Sequence, residues 1–304
     1  MNDKKKLTVI GSIAFDSIET PLGSRVGLLG GSATYASISA SFFTSVNIIS
    51  VVGKDFTKKY CDIFENRGID TSGMEKKDGQ TFTWSARYPK NLDHAETLST
   101  CLNVFSDFKP KVPSNVRKTD NFLLANIAPE FQNWVVNKVK PSGIVACDTM
   151  NLWINTQRKE LIKLLKKTDM FFLNDAEARL LSGEANLLDS AEYIASLGVK
   201  MTIIKKGEHG SLFFKKNDLK FVIPPYFLRK IIDPTGAGDT YAGAVMGYIT
   251  SKGKLTDKDL RTSLSYGSIL ASFSVEDFGI NALANTVKAK IEQRYNILKK
   301  ISGF

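Results

Sequence analysis

Hydrophobic positions along the chain follow two rhythms. Short unbroken apolar runs occupy residues 122–125, 143–147 and 170–173, residues 7–10 and 201–204 are β-rich runs with one threonine each, and residues 47–52 form a further strand that stops at Gly53. Runs of this length with no polar alternation fit strands buried on both faces, as in a parallel sheet covered by helices. Between them, apolar residues recur at helical spacing over 32–43, 56–67, 130–140, 157–167, 240–249, 257–273 and 285–297. Gly30-Gly31 precedes the first of these helices, and Gly68 follows the second as a C-terminal cap. Strand and helix alternate along most of the length, which predicts an α/β fold with a mostly parallel central sheet.

One segment departs from this rhythm. Residues 80–108 hold two β-like runs, 81–88 and 96–105, with no helix between them. Phe82, Trp84, Ala86 and Tyr88 alternate with Thr83, Ser85 and Arg87, which is the period of a half-exposed antiparallel pair. Trp84 and Arg87 therefore fall on opposite faces. The pair is read as a small sheet standing off the main one, a lid or an interface; an edge hairpin of the main sheet fits the same pattern. No repeat or Pro/Gly/Ser linker divides the 304 residues, so one unit spanning 1–304 is expected, its outgrowth formed mainly by about 80–108 with 14–28 as a further contributor.

Composition narrows the function classes. With 43% hydrophobic and 24% charged residues the chain is ordinary globular material. Forty-one Lys and Arg against 31 Asp and Glu give a net charge of +10, yet the lysines are scattered in pairs at element ends. No basic stripe or recognition module accompanies them, so a nucleic-acid partner is not expected. Cys61, Cys101 and Cys147 are far apart and only two histidines occur, which leaves no zinc motif or disulfide framework and points to a reduced, cytoplasmic setting. The basic start at residues 1–6 lacks the apolar region and cleavage site of a signal peptide, and no apolar stretch of roughly 18 residues is present to cross a membrane.

The richest chemistry lies at 231–240. An apolar run ends, Asp233-Pro234-Thr235-Gly236-Ala237-Gly238-Asp239 follows, and a helix begins. Gly236, Ala237 and Gly238 present backbone N–H groups at a helix N-terminus, which binds anions without a lysine. Asp239 stands beside this hole as a base for a hydroxyl attacking a phosphoryl group. A bare Gly-Ala-Gly-Asp also suits an Asp that only helps to start a helix after a glycine turn. Neither a GxxxxGK[ST] loop nor a GxGxxG after the first strand is present, so phosphate binding rests on the helix terminus.

The longer string Asp233 to Gly243 resembles the C-terminal signature of the ribokinase/PfkB family of sugar and nucleoside kinases. The other family marks appear in order. Gly11 and Asp16 resemble its first strand and the acidic residue that holds substrate hydroxyls. Gly30-Gly31 resembles its di-glycine, Asn174-Asp175-Ala176-Glu177 its N-x-x-E motif, and Lys206-Gly207-Glu208-His209-Gly210 its G-x-x-G turn at the ATP site. The resemblance spans about residues 7–299. It implies a three-layer ribokinase-like sandwich with a small β-sheet lid. It also implies ATP and Mg²⁺, with Asn174, Glu177, Lys205, Gly207, Gly210 and Ser268 on the nucleotide side, Glu177 holding magnesium through water, and a monovalent cation (K⁺) near Asp233. Asp16, Gly30, Gly31, Tyr35 and Asn126 are then the acceptor side.

Two departures stand out. Ribokinase-like members often continue the di-glycine as Gly-Ala-Asn, whereas this chain reads Gly30-Gly31-Ser32-Ala33-Thr34-Tyr35, which loses that polar sugar contact and adds an aromatic near the same helix; on the nucleotide side, Lys205 falls where many relatives carry Thr. Cys147-Asp148 to Trp153 resembles the family's strand-end D-x-N-x-x-W region with the pattern shifted by one residue. The resemblance therefore implies a kinase for a hydroxymethyl group of a sugar, with a nucleoside kinase of the same fold as the alternative and a homodimer paired through the lid. A non-catalytic sugar- or nucleotide-binding regulator would keep this fold too; the retention of Asp239, Gly236, Gly238 and Glu177 argues against it.

Overall fold

In the computed structural model, which describes residues 5–303 apart from 93, 115, 117, 118, 140, 217 and 254, the chain runs through thirteen strands and eleven α-helices. The first part comprises β1 (Lys6–Ile10), β2 (Ala14–Thr20), β3 (Gly23–Gly30), α1 (Ser32–Ala40), β4 (Ser45–Val52), α2 (Lys58–Glu65), β5 (Asp70–Lys76), β6 (Phe82–Arg87) and β7 (Glu96–Cys101). The middle comprises β8 (Asn121–Leu124), α3 (Pro129–Val136), β9 (Val145–Asp148), α4 (Asn151–Thr156), α5 (Arg158–Leu165), β10 (Met170–Asn174), α6 (Asp175–Ser182) and α7 (Leu187–Ser196). It ends with β11 (Met201–Lys205), β12 (Ser211–Lys215), β13 (Asp218–Ile223), α8 (Ala237–Ser251), α9 (Asp257–Ser274), α10 (Asn281–Ala284) and α11 (Lys288–Ser302). The helix expected over 130–140 stops at Val136, and residue 140 lies outside the described residues. Residues 1–4 of the basic start lie outside them as well.

Nine strands form the large sheet in the order β13-β12-β11-β10-β9-β8-β1-β4-β5. The seven from β11 to β5 are parallel, and β12 and β13 are added antiparallel at one edge. The unbroken apolar runs feed two cores by simple alternation. Val9, Leu123, Ala146, Met170, Phe172 and Ile203 face the side covered by α1, α8, α9 and α11. Ile10, Phe122, Leu124, Cys147, Phe171, Leu173 and Ile204 face the side covered by α3 to α7. A run polar on one face could not serve both layers, which is why the strands lack alternation. Helix α8 lies close against α1: a Cβ on Gly243 would come within 2.2 Å of the Ala36 carbonyl oxygen.

The smaller sheet has the order β3-β2-β6-β7 and is separate from the large one, so the edge-hairpin reading does not hold. β6 and β7 pair antiparallel as expected, but half of the sheet comes from residues 14–30, and β2 joins β6 in parallel register. That register places Asp16 beside Trp84 and Ile18 beside Ala86 on one face, and Glu19 beside Arg87 on the other. The outer pair forms an exposed salt bridge of 3.1 Å. The inner face has a small core of Ile18, Ala86 and Phe278.

Candidate active site

Five parallel strands end side by side in the order β11-β10-β9-β8-β1, and their C-terminal ends carry Lys205, Asn174, Asp148, Asn126 and Gly11-Ser12. Ligands of open parallel sheets bind beyond such ends. Gly236, in left-handed conformation (φ 73°), caps α8, so Gly236, Ala237 and Gly238 stand at a helix start whose first N–H groups have no intrahelical partner; the Ala237 N–H makes a long bond of 3.3 Å to the Pro234 carbonyl. A Cβ on Gly236 would meet the Tyr35 ring at 2.4 Å, so glycine is needed there for space as well as for backbone conformation. Tyr35 is only 1% exposed: it packs behind the glycine hole rather than lying open to an acceptor as expected.

Asp239 occupies the first turn of α8, with its carboxyl pushed up to about 7 by burial and by Asp148, against the pull of Lys205. A carboxyl poised near neutrality suits a general base at physiological pH. Asp16, on the inner face of the smaller sheet, is pushed up to about 8 by burial and by Asp233, and the Gly31 N–H to its carboxylate works the other way. Its carboxylate fills the space where a side chain at residue 30 would be, since a Cβ on Gly30 would lie 1.9 Å from Asp16 Oδ2. Gly31 has φ 91°, and a Cβ there would come within 2.5 Å of the Ser12 carbonyl oxygen. Reciprocal bonds fix this corner: Ser12 N–H donates to Ser32 Oγ and Ser32 N–H to Ser12 Oγ, each at 3.1 Å.

On the opposite flank, Asn174 and Glu177 form a capping box at the start of α6. Asn174 Oδ1 accepts from Glu177 N–H and Glu177 Oε2 accepts from Asn174 N–H, both at 2.7 Å. Glu177 is pushed up to about 7 by burial, with Lys205 opposing and Asp148 adding to the rise. The Lys205 ammonium lies 3.0 and 3.2 Å from the two carboxylate oxygens of Asp148. Burial works against its charge, but Asp148 and Glu177 outweigh it and hold the ammonium above its usual range.

Other expected site residues fall in different surroundings. Asn126 lies at the strand ends, and its Oδ1 accepts the Trp153 indole N–H at 2.9 Å. Gly207 (φ 52°) and Gly210 (φ 81°) shape the turn after β11; a Cβ on Gly210 would strike the Ile223 carbonyl, whereas Gly207 faces open space. Ser268 is not free for a nucleotide, because its hydroxyl accepts from Tyr226 N–H at 3.0 Å and donates to the Pro224 carbonyl at 3.1 Å. Asp233 is fully buried, and its oxygens accept the N–H groups of Thr235 (2.9 Å) and Gly279 (3.0 Å).

Three residues enter the site that sequence reasoning did not place there. Asp148 ends a buried strand just as Asn174 does, and that position, together with the strand-end D-x-N-x-x-W resemblance of residues 147–153, was the signal available. Tyr88 and Thr235, whose hydroxyls lie 3.1 Å apart, join the smaller sheet to the glycine hole, and nothing in their sequence contexts couples them.

The family model of the pfkB family carbohydrate kinases matches residues 4–286. The chain belongs to the PfkB family of carbohydrate kinases. PfkB kinases are phosphotransferases that act on hydroxyl groups, and the glycine hole with Asp239 is the element of this chain suited to that chemistry. Similar members include the cytidine kinase of Thermococcus kodakarensis, 26% identical over 264 residues, with 85% of this chain and 93% of that protein covered. The nucleoside kinase of Methanocaldococcus jannaschii is 26% identical over 291 residues, covering 90% and 92%. Among solved structures, a putative ribokinase II from E. coli in complex with ATP and Mg²⁺ superposes with a TM-score of 0.79 at 18% identity, over 96% of this chain and 99% of that one. This likeness establishes the ribokinase-like fold of the PfkB chain. Among the described residues no helix is long and apolar enough to cross a membrane.

Proposed function

We propose that the protein transfers the γ-phosphoryl group of ATP to a hydroxymethyl group of a sugar. The observation that carries this is Asp239, a carboxyl held near neutrality in the first turn of α8, next to the amides of Gly236 to Gly238 and within electrostatic reach of Asp16. Asp16 accepts acceptor hydroxyls and Asp239 takes the proton of the reacting one. That oxygen attacks the γ-phosphorus, the bond to the β–γ bridging oxygen breaks, and the electron pair leaves with ADP. The helix-start amides meet the charge on the transferring group. The inner face of the smaller sheet closes over the acceptor and excludes water.

The residues present fit a hydrated magnesium. Among the described residues no group of three or more His, Cys, Asp or Glu is arranged to hold a metal, so a full protein cage is not formed. Magnesium keeps several waters and leans on nucleotide phosphates. Glu177, with only Oε2 engaged in the capping box, and Asn174 would hold it through those waters. When bound, the metal neutralises the β and γ oxygens. Asp233 is a buried carboxylate with no salt bridge among the described residues, which suits a monovalent cation such as K⁺ beside it.

A nucleoside acceptor is the second reading, favoured by Trp84 beside Asp16 on the inner face, where a flat ring would stack. Exposed Leu22, Val26, Leu98 and Leu102 on and beside the outer strands of the smaller sheet support pairing of two copies there. Three free cysteines, one of them buried, support a reducing, cytoplasmic setting. The deciding experiment is ADP release with ATP, Mg²⁺ and a panel of sugars and nucleosides. A sugar that drives ADP release supports the first reading and a nucleoside alone the second. ATP binding with no ADP release across the panel revives the regulator.

A further inference from the structure

The ion pair of Lys205 and Asp148 has no counterpart in the reaction as drawn so far. It bridges the ends of β11 and β9 across the intervening β10. Both side chains are largely buried, at 16% and 4% exposure. A buried ion pair is seldom the most stable filling for such a place, because desolvation offsets much of the attraction. The pair also points at something. A Cβ on Gly238 would lie 3.0 Å from Lys205 Nζ, so the ammonium borders the N–H groups that begin α8. Among the charges acting most strongly on Asp148, Glu177 and Asp239, Lys205 is the sole cation of the described residues.

We propose that Lys205 is a catalytic residue that bonds the β,γ end of the nucleotide's phosphate chain, and that Asp148 is the positioning residue that aims it. This rests on the kinase reading of the same site. Backbone amides alone supply dipoles; Lys205 adds a full charge at the edge of the hole. There it offsets the negative charge that builds on the β–γ bridging oxygen as the acceptor oxygen attacks and that bond breaks. Asp148 restrains a flexible side chain that would otherwise sample many rotamers.

The test is nucleotide binding, which needs no identified acceptor. Dissociation constants for ATP with Mg²⁺, ADP with Mg²⁺, and AMP are measured by titration calorimetry on the wild type, Lys205→Met, Lys205→Arg and the double variant Lys205→Met/Asp148→Asn. The double variant leaves no unpaired buried charge and so guards against a simple folding failure. Loss of a charge-assisted contact predicts that ATP and ADP bind roughly 10–100-fold more weakly to both Met-containing variants. AMP, which lacks the β and γ groups, should bind unchanged, and Lys205→Arg should recover part of the loss. Equal weakening of all three nucleotides, or of none, overturns the assignment and leaves the pair a structural bridge. A wild type that binds no nucleotide instead removes the kinase reading itself, and the assignment with it.

Discussion

The hydroxyl of Tyr88 lies 3.1 Å from the hydroxyl of Thr235, although 147 residues separate them in the chain. Tyr88 follows β6 on the inner face of the smaller sheet, and Thr235 stands directly before Gly236. The bond ties the smaller sheet to the glycine hole, and on the proposed reading it links a cover over the acceptor to the geometry of the phosphoryl site. Replacing Tyr88 by Phe keeps the ring and removes the hydroxyl. Once an acceptor is found, Tyr88→Phe should lower kcat by about 10-fold, the cost of roughly one hydrogen bond at the transition state. It should also raise the fraction of ATP lost to hydrolysis. Unchanged kcat and unchanged hydrolysis in that variant would remove the link.

Gly236 combines a positive φ of 73° with a Cβ direction that runs into Tyr35. A left-handed alanine costs about 1–2 kcal/mol before any clash. Gly236→Ala should therefore lower the unfolding midpoint and displace the Tyr35 ring. Gly207→Ala is the control, since that Cβ would meet nothing within 4 Å and only its positive φ is strained. Thermal unfolding of the two variants compared with the wild type checks this, and equal losses would contradict the packing role of Tyr35.

Burial raises the cleft carboxyls Asp16, Asp148, Glu177, Asp233 and Asp239 in the folded protein, Asp16 to about 8 and Glu177 and Asp239 to about 7. Their burial disfavours ionisation, so the folded state holds protons that the unfolded chain would release. The sign follows from linkage: this contribution to stability is fully present below the unfolded carboxyl values and is lost as pH rises through the folded ones, between about 4 and 8. Asp16→Asn removes the burden of the most strongly shifted group. The variant should melt higher than the wild type at pH 8, with the gap closing toward pH 5, and it should bind the acceptor far more weakly. A lower melting point at pH 8 would show that the Asp16 charge is compensated.

Activity has the opposite dependence. Asp239 must be ionised to take a proton, so turnover should fall as pH drops through about 7, with nucleotide-bound metal moving the limb lower. A pH profile of kcat/KM measures it directly, and a flat profile from pH 5.5 to 8 would contradict a titrating base at this position.

Much of the architecture was legible because the unbroken apolar runs serve two cores at once, and a strand such as 170–173 has no other use for four consecutive large side chains. β5 escaped notice because Asp70–Lys76 is a polar edge strand with one buried position. The half of the smaller sheet made by β2 and β3 was only partly anticipated, since its membership is decided by the parallel pairing of β2 with β6 across a long gap. The glycine hole and Asp239 could be read because they are contiguous. The Lys205–Asp148 pair spans 57 residues and exists only through strand order, which no local pattern records. Ser268 was placed at the nucleotide by resemblance alone, and its hydroxyl is spent on the backbone of Pro224 and Tyr226.

The central claim is that Asp239 is the base of a phosphoryl transfer to a hydroxyl. Its most direct test is ADP release by purified wild type and Asp239→Asn with the acceptor found in the panel. Loss of the base and of its charge predicts a drop in kcat of about 10²–10⁴-fold, with folding and ATP binding retained. Turnover near the wild-type rate in a folded Asp239→Asn enzyme would contradict it.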